Sequence, residues 1–325
     1  MASPFKISVS EPIDDDAINL LKKKGEVTVF ERGELKDRSK LVRVLKETDA
    51  FLSMLSDKLD REVLSQVKNL SIIANYAVGY NNIDTEAAKE LGIHVANTPD
   101  VLTDATADLA VGLMIASARK FPAAEKYLRE GKFDGWDPLG FRGIEISESA
   151  VGIVGMGRIG FAFAKRVKEF GAKIFYHNRK RTAPETEQMV SAVFVPDLDV
   201  MLSECDIISL HCPLTESTRH MINRKNIGLM KSHSVIINTA RGPVVDEESL
   251  AEALHDGRIG GAGLDVYEEE PKIHPKLLSA PNCILLPHIG SATWHARKKM
   301  GYLAAEAIIG ILEQKPPEEI PNLIV

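Results

Sequence analysis

Between Val151 and Gly160 the chain runs Val151-Gly152-Ile153-Val154-Gly155-Met156-Gly157-Arg158-Ile159-Gly160. A short apolar strand leads into glycines spaced G-x-G-x-x-G, and a helical pattern follows from Phe161 to Phe170. Strand, glycines and helix in that order form a loop whose backbone can take a dinucleotide pyrophosphate. Gly155 permits the tight turn. Gly157 lets the main chain approach phosphates with no Cβ between, and Gly160 lets the helix pack close to the strand. Met156, Arg158 and Ile159 complete the loop, where the free N–H groups of a helix start face an anion.

The rest of the chain agrees with the parallel architecture this loop requires. Short apolar runs alternate with helical patterns from end to end. In the first half, strands are expected at Lys6–Val9, Val27–Phe30, Ala50–Leu52, Ser71–Asn75 and His94–Ala96. Helices are expected at Asp14–Lys23, Glu34–Glu47 and Asp84–Leu91. A second set of strands is expected at Val151–Val154, Lys173–Tyr176, Ile207–Leu210, Val235–Asn238, Gly263–Val266 and Ile284–Leu286. Their connections are long enough for crossover helices. The glycine loop lies in mid-chain, so a complete unit precedes it. A long helical pattern from Asp104 to Lys120 carries the chain forward, and Trp294 to Glu313 is the candidate return. The expected fold is α/β, with two Rossmann-like or flavodoxin-like parallel-sheet domains and an interdomain cleft. The substrate domain is placed at residues 1–98 plus 290–325 and the dinucleotide-binding domain at 99–289. Gln314 to Glu319 reads as an exposed turn.

Composition narrows the function. A chain of 325 residues holds two domains with sizeable cores. The net charge of −6 argues against a general binder of nucleic acid or anionic membranes. The three cysteines, Cys205, Cys212 and Cys283, make neither a disulfide framework nor a zinc motif, so a cytoplasmic setting is expected. Met1-Ala2-Ser3-Pro4-Phe5-Lys6 lacks the apolar core of a signal peptide. The apolar stretch Leu109–Ala118 is too short to span a bilayer and reads as a buried helix. No His, Cys or carboxylate cluster has metal-ligand spacing, and His211 and His220 lack companions, so no metal is expected.

The end of the second strand speaks to the cofactor. An acidic residue about 20 positions beyond the last glycine binds the adenine ribose and repels a 2′-phosphate. Here Tyr176 is followed by His177-Asn178-Arg179-Lys180-Arg181, with no carboxylate until Glu185. Three cations therefore stand where a phosphate would sit, and Arg179 offers a planar fork for its oxygens. NADP(H) is expected as the preferred cofactor, with NAD(H) possible. The plain alternative is a solvated basic loop.

Three polar groups stand beside strand ends, where open α/β sheets place their sites. Arg241 follows Val235–Ala240, Glu270 lies just before Pro271, and His288 sits in Pro287-His288-Ile289-Gly290. Singly, each has a plainer reading: a surface ion pair, a solvated turn in Glu268-Glu269-Glu270, and a packed or capping histidine. Together with the glycine loop, Asn238-Thr239-Ala240-Arg241-Gly242, Gly263-Leu264-Asp265-Val266 and Val78-Gly79-Tyr80-Asn81-Asn82-Ile83-Asp84, they resemble the signatures of the D-isomer-specific 2-hydroxyacid dehydrogenase family. The similarity covers nearly the whole chain. It is greatest to the glyoxylate/hydroxypyruvate reductases and the 2-ketogluconate reductases, whose segment Tyr176–Arg179 resembles. Asn81 departs from the family's usual aspartate.

The resemblance implies a reductase of small 2-oxo acids, with Arg241, Glu270 and His288 as the catalytic trio. Arg241 would bind the substrate carboxylate and polarise the carbonyl, His288 would act as acid or base, and Glu270 would orient the imidazole. N–H groups around Val78 and Gly79 would also take the carboxylate, and Met54, Leu55 and Ser56 would line the pocket. Asp265 would accept a hydrogen bond from the nicotinamide carboxamide, with a strand-end cap as the alternative. Thr106, Cys212, Pro213, Thr239, Ala240 and Gly290 complete the expected cofactor contacts. Thr106 alternatively caps or packs, and Cys212 reads as a packing residue. A homodimer is implied, with Trp136 near the interface or in the partner's cleft. Rival readings are a formate dehydrogenase, opposed by Glu270 where that enzyme has glutamine, a D-3-phosphoglycerate-type dehydrogenase using NAD, and a dinucleotide-sensing corepressor-like binding protein.

Overall fold

The structure, a computed structural model, describes residues 4–325. Met1, Ala2 and Ser3, the start of the stretch read for a leader, lie outside the described residues. The chain forms two compact units, one running to Leu102 and resuming at Ser291–Val325, the other Thr103–Gly290.

The first unit holds a five-stranded sheet: β1 (Phe5–Val9), β2 (Gly25–Val29), β3 (Ala50–Ser53), β4 (Ile72–Asn75) and β5 (His94–Ala96). The order is β2-β1-β3-β4-β5, with every pairing parallel, the flavodoxin-like arrangement. β3 and β4 are buried at every residue, as central strands covered on both faces must be. The Trp294–Leu312 helix belongs to this unit and packs over β3 and β4. Beyond β5, the Ile324 N–H donates to the Val95 carbonyl at 2.7 Å, so the C-terminal residues extend the sheet edge. The helix expected over Glu34–Glu47 is instead a 3-10 turn at Glu34–Lys36 and a helix at Arg38–Lys46. Asp37 breaks it: its carboxylate accepts the Lys40 N–H at 2.7 Å and caps the second piece, an interaction worth about 1 kcal/mol.

The second unit holds seven parallel strands: β6 (Ala150–Val154), β7 (Lys173–His177), β8 (Ala192–Phe194), β9 (Ile207–Leu210), β10 (Val235–Asn238), β11 (Gly261–Leu264) and β12 (Cys283–Leu285). Their order is β12-β11-β10-β9-β6-β7-β8, which reverses direction between β6 and β9. β8 escapes the sequence reading because three residues at an edge carry no periodicity. β11 lies two residues before its expected place at Gly263–Val266. Its glycines hide it, since they have low strand propensity. They are there for packing: a Cβ on Gly263 would stand 3.0 Å from both Leu113 Cβ and Ser117 Oγ of the Thr103–Ala118 helix. That helix buries Ala107, Ala110, Leu113 and Met114. Val151, Ile153, Ile207, Val235 and Ile237 lie in the same core, each contributing about 1.5–3 kcal/mol by burial.

Candidate active site

Register aligns the carboxyl ends of the second sheet. Val154 pairs with His177 and Leu210, Asn238 with Leu210 and Leu264, and Leu264 with Leu285. The segments that follow these residues therefore emerge side by side, at the edge where open sheets bind ligands. A separate cleft of about 460 Å³, lined by Lys120, Arg142, Asp206, His233 and Asn282 among others, opens at the amino ends of the strands and includes none of the trio.

After β6 the backbone turns at Gly155, whose φ is +97°. A Cβ there would meet the Cys212 nitrogen at 2.6 Å. A Cβ on Gly160 would lie 2.1 Å from the Gly155 carbonyl oxygen, so strand and helix touch through this glycine. Gly157 is different: a Cβ there would meet nothing within 4 Å. The space it opens fronts the start of the Arg158–Glu169 helix, whose N-cap residue is Gly157 itself. Open space before a helix N-terminus suits a pyrophosphate. The helix begins at Arg158, three residues before the expected Phe161, because the Gly157 carbonyl already accepts the Phe161 N–H at 2.8 Å.

Asn178 follows β7 and turns its amide oxygen to the glycine loop, accepting the Met156 N–H at 2.7 Å. Arg179 and Lys180 are exposed, with no ion pair among the described residues. Arg181 departs from the expectation of three cations facing a phosphate. Its guanidinium is gripped by both Glu187 oxygens, at 2.8 and 2.7 Å, and Tyr176 donates its hydroxyl to the same carboxylate. The Arg181 bond and the Tyr176 hydroxyl pull the Glu187 carboxyl down to about 2. Arg181 thus closes its own loop.

Arg241, Glu270 and His288 come from the segments after β10, β11 and β12. Glu270 Oε2 stands 2.8 Å from His288 Nδ1, and its Oε1 accepts the Tyr267 N–H at 3.0 Å. Burial works to raise the Glu270 pKa, but the His288 bond and charge, the Tyr267 N–H and the Arg241 charge outweigh it and hold it below its ordinary value. Burial pushes the Arg241 guanidinium down, opposed by the Glu270 charge. Arg241 Nη1 donates to the Ala240 carbonyl at 2.7 Å, and Asn238 Nδ2 donates to the Arg241 carbonyl at 3.0 Å. Guanidinium, carboxylate and imidazole on one sheet edge can bind a carboxylate and move a proton.

A family description, the NAD binding domain of D-isomer specific 2-hydroxyacid dehydrogenases, matches residues 111–290. The glyoxylate reductase of Thermococcus litoralis is 45% identical over 323 residues, covering 98% of this chain and 96% of its own. The chain belongs to the D-isomer specific 2-hydroxyacid dehydrogenase family. A crystal structure of a glyoxylate reductase from Paecilomyes thermophila superposes with a TM-score of 0.86 at 34% identity, covering 98% of this chain and 100% of that one. The NADPH-dependent glyoxylate/hydroxypyruvate reductase of Sinorhizobium meliloti, solved with NADP and malonate, gives 0.85 at 33% identity, with 98% of each chain covered. The protein is thus an NAD(P)-dependent oxidoreductase.

In this dehydrogenase, the expected cofactor contacts fall into two groups. Thr239, just past β10, is buried and its hydroxyl finds no partner among the described residues. Ala240 is buried beside it, its N–H donating to Asn238 Oδ1 at 3.0 Å. The second group holds the protein's own backbone. Asp265, 1% exposed, accepts the Ile289 and Gly290 N–H groups, each at 2.7 Å. The Thr106 hydroxyl donates to the Gly290 carbonyl at 3.2 Å. These bonds fix the segment after His288, whose φ is +56°, a conformation that costs a side-chain-bearing residue about 1–2 kcal/mol.

Cys212 is buried behind Gly155, and burial pushes its thiol up to about 11. Pro213 is exposed, its carbonyl accepting the Thr218 hydroxyl at 2.7 Å. In the first unit, Val78 and Gly79 are half-buried after β4. Asn97 Nδ2 holds the Val78 carbonyl at 2.7 Å and Asn75 Nδ2 the Gly79 carbonyl at 2.9 Å. Their own N–H groups have no acceptor among the described residues. Met54 and Leu55 are half-buried and Ser56 is exposed after β3. Trp136 is 86% exposed, in a stretch with Phe133 and Leu139 also exposed. Among the described residues, no group of three potential ligands could hold a metal, and no helix is long and apolar enough to cross a membrane.

His220 has one carboxylate neighbour that its sequence spacing does not show: its Nε2 stands 2.9 Å from Glu268 Oε2. Glu268 is not a solvated turn residue, and nothing local in Glu268-Glu269-Glu270 distinguishes it.

Proposed function

We propose that this dehydrogenase reduces small 2-oxo acids to D-2-hydroxy acids with His288 as the proton donor. Glyoxylate and hydroxypyruvate come first as substrates and 2-ketogluconate after them. The observation that carries the reading is the 2.8 Å bond between Glu270 and His288, one strand over from Arg241. The open space at Gly157, the helix N-terminus behind it and the Thr239 hydroxyl, which has no partner among the described residues, fit a dinucleotide. When bound in reduced form, it supplies the hydride.

The chain's own residues do the rest. Arg241 binds the substrate carboxylate and draws charge from the neighbouring carbonyl. The Val78 and Gly79 N–H groups, with their carbonyls tied down, offer further donors to that carboxylate, and Leu55 borders the substrate. Glu270 accepts from His288 Nδ1, which leaves Nε2 to deliver a proton to the carbonyl oxygen. In oxidation the same nitrogen takes the proton back. Asp265 keeps the following backbone in place and is the candidate acceptor for the carboxamide.

NADPH is the proposed preferred cofactor. Asn178 replaces the acid that would repel a 2′-phosphate, and Arg179 and Lys180 supply charge beside it. The Sinorhizobium meliloti relative is NADPH-dependent, which supports the same reading. The exposed stretch around Phe133, Trp136 and Leu139 suits a homodimer contact.

Steady-state rates with glyoxylate, hydroxypyruvate, 2-ketogluconate and 3-phosphohydroxypyruvate, each with NADPH and NADH, test the proposal. The expected result is turnover of the first two with higher kcat/KM for NADPH. Dominant activity on the phosphorylated acid with NADH would give the phosphoglycerate-type enzyme instead. Tight cofactor binding with no turnover of any 2-oxo acid would leave a sensor protein.

A further inference from the structure

Two of the three segments that carry the reacting groups lie side by side: one runs from Thr239 through Arg241 to Asp246, the other from Asp265 to Glu270. They are joined by a reciprocal clasp. The Glu268 N–H donates to Glu247 Oε1 at 2.6 Å, and the Glu247 N–H donates to Glu268 Oε1 at 2.9 Å. Each carboxylate caps the other's backbone, across two separate stretches of chain. His220 closes the arrangement. Its Nε2 meets Glu268 Oε2 at 2.9 Å, and its own N–H donates to the Pro243 carbonyl at 2.8 Å. Gly242 brings the stretches into contact, since a Cβ there would lie 1.8 Å from the Tyr267 carbonyl carbon.

This clasp adjoins the chemistry on each side, two residues from Glu270 and six from Arg241. Tyr267 and Glu268 are consecutive, and the Tyr267 N–H is the group that Glu270 Oε1 accepts. A shift of Glu268 therefore carries Glu270, and through its bond the His288 ring. On the other side, the Val244 N–H donates to the Arg241 carbonyl at 3.2 Å, inside the turn that leads to Glu247. Two carboxylates brought together are electrostatically unfavourable. Burial raises the Glu247 pKa and the Glu268 charge adds to this, while the Glu268 N–H works against it. Glu247 also begins the Glu247–His255 helix, where the backbone dipole favours an anion. Apolar side chains could hold two loops together, but not at one hydrogen-bonded spacing.

We propose that Glu268, held by Glu247 and His220, is a positioning residue for 2-oxo acid reduction, fixing the separation between Arg241 and the Glu270–His288 couple. It touches neither substrate nor cofactor. The proposal rests on the reading of the site given above.

The test compares Glu268→Ala, Glu268→Gln and His220→Ala with the wild type, using glyoxylate and NADPH, with NADPH affinity from nicotinamide fluorescence and folding from thermal unfolding. An ångström of misplacement at a reacting centre can remove about 100-fold in rate, so Glu268→Ala should lose about 10- to 100-fold in kcat. Its glyoxylate KM should rise, while its NADPH affinity stays near the wild type. Glu268→Gln keeps an oxygen for the Glu247 N–H and should recover most of the loss. A merely structural residue would lower the unfolding temperature and leave kcat alone, so a folded Glu268→Ala with wild-type kcat overturns the proposal. If Glu268→Ala does not fold, His220→Ala decides: it removes one half-exposed contact, and an unchanged kcat overturns the proposal equally. Wild-type protein that binds NADPH but reduces no 2-oxo acid would remove the underlying reading, and the positioning role with it.

Discussion

Glu270 Oε2 lies 2.8 Å from His288 Nδ1 while Oε1 is held by the Tyr267 N–H, so the carboxylate that orients the imidazole is itself oriented at both oxygens. His288→Ala should therefore reduce kcat by about 100- to 10,000-fold, the usual contribution of a positioned acid or base. NADPH affinity should change little, because the glycine loop is untouched. Glu270→Gln should lose less, since an amide oxygen can still accept from Nδ1 but brings no charge. Steady-state kinetics with parallel fluorescence titration checks both. Lost cofactor affinity with normal turnover would contradict the assignment.

Arg179 and Arg181 are near neighbours with different employment. Arg181 is bound by both oxygens of Glu187. Arg179→Asp should lower kcat/KM for NADPH by about 10- to 100-fold, the value of a lost charge-assisted bond, and affect NADH far less. Arg181→Ala should leave the cofactor ratio unchanged and lower the unfolding temperature. Equal effects of the two substitutions on the ratio would refute this division.

Asp265 accepts two backbone N–H groups just after a residue with left-handed backbone. Asp265→Ala leaves both donors without their partner in a buried site. Bonds to a charged group are worth about 1.5–3 kcal/mol each, so a loss of several kcal/mol is expected in urea unfolding. Activity should fall too, because His288 loses the support that fixes its backbone. A variant with wild-type stability would show the carboxylate to be dispensable there.

His211 packs against Phe163 with ring centroids 5.1 Å apart, and burial pushes its pKa down to about 3. An unfolded imidazole takes its proton near 6.5. Between those values the unfolded chain holds a proton the folded chain refuses, so stability is full above 6.5 and declines as pH falls towards 3. From pH 7 to pH 5 the contribution should drop by about 2 kcal/mol. His211→Gln lacks this dependence. Urea unfolding at the two pH values should show the wild type losing about that much more than the variant.

Much of this was legible in the chain itself. The strand cores at Ile207–Leu210 and Val235–Asn238 appear at the residues expected, because buried parallel strands are continuous apolar runs. The long Thr103–Ala118 and Trp294–Leu312 helices likewise declare themselves by length. What failed, failed for local reasons. β11 is glycine-rich because a helix packs on it, and β8 is too short to show a period. Asp37 acts as a cap inside what looks like one helix.

Sequence alone determined the parallel α/β architecture and the glycine loop, since backbone conformation and apolar patterning are local properties, and its family resemblance nominated Arg241, Glu270 and His288. Tertiary structure alone decided which charges are free to act. Arg181 is withdrawn by Glu187, Asp265 is committed to the chain after His288, and Glu268 and His220 are drawn into a clasp. A polar side chain's role depends on which donors and acceptors the fold brings within about 3 Å, and those partners come from other strands.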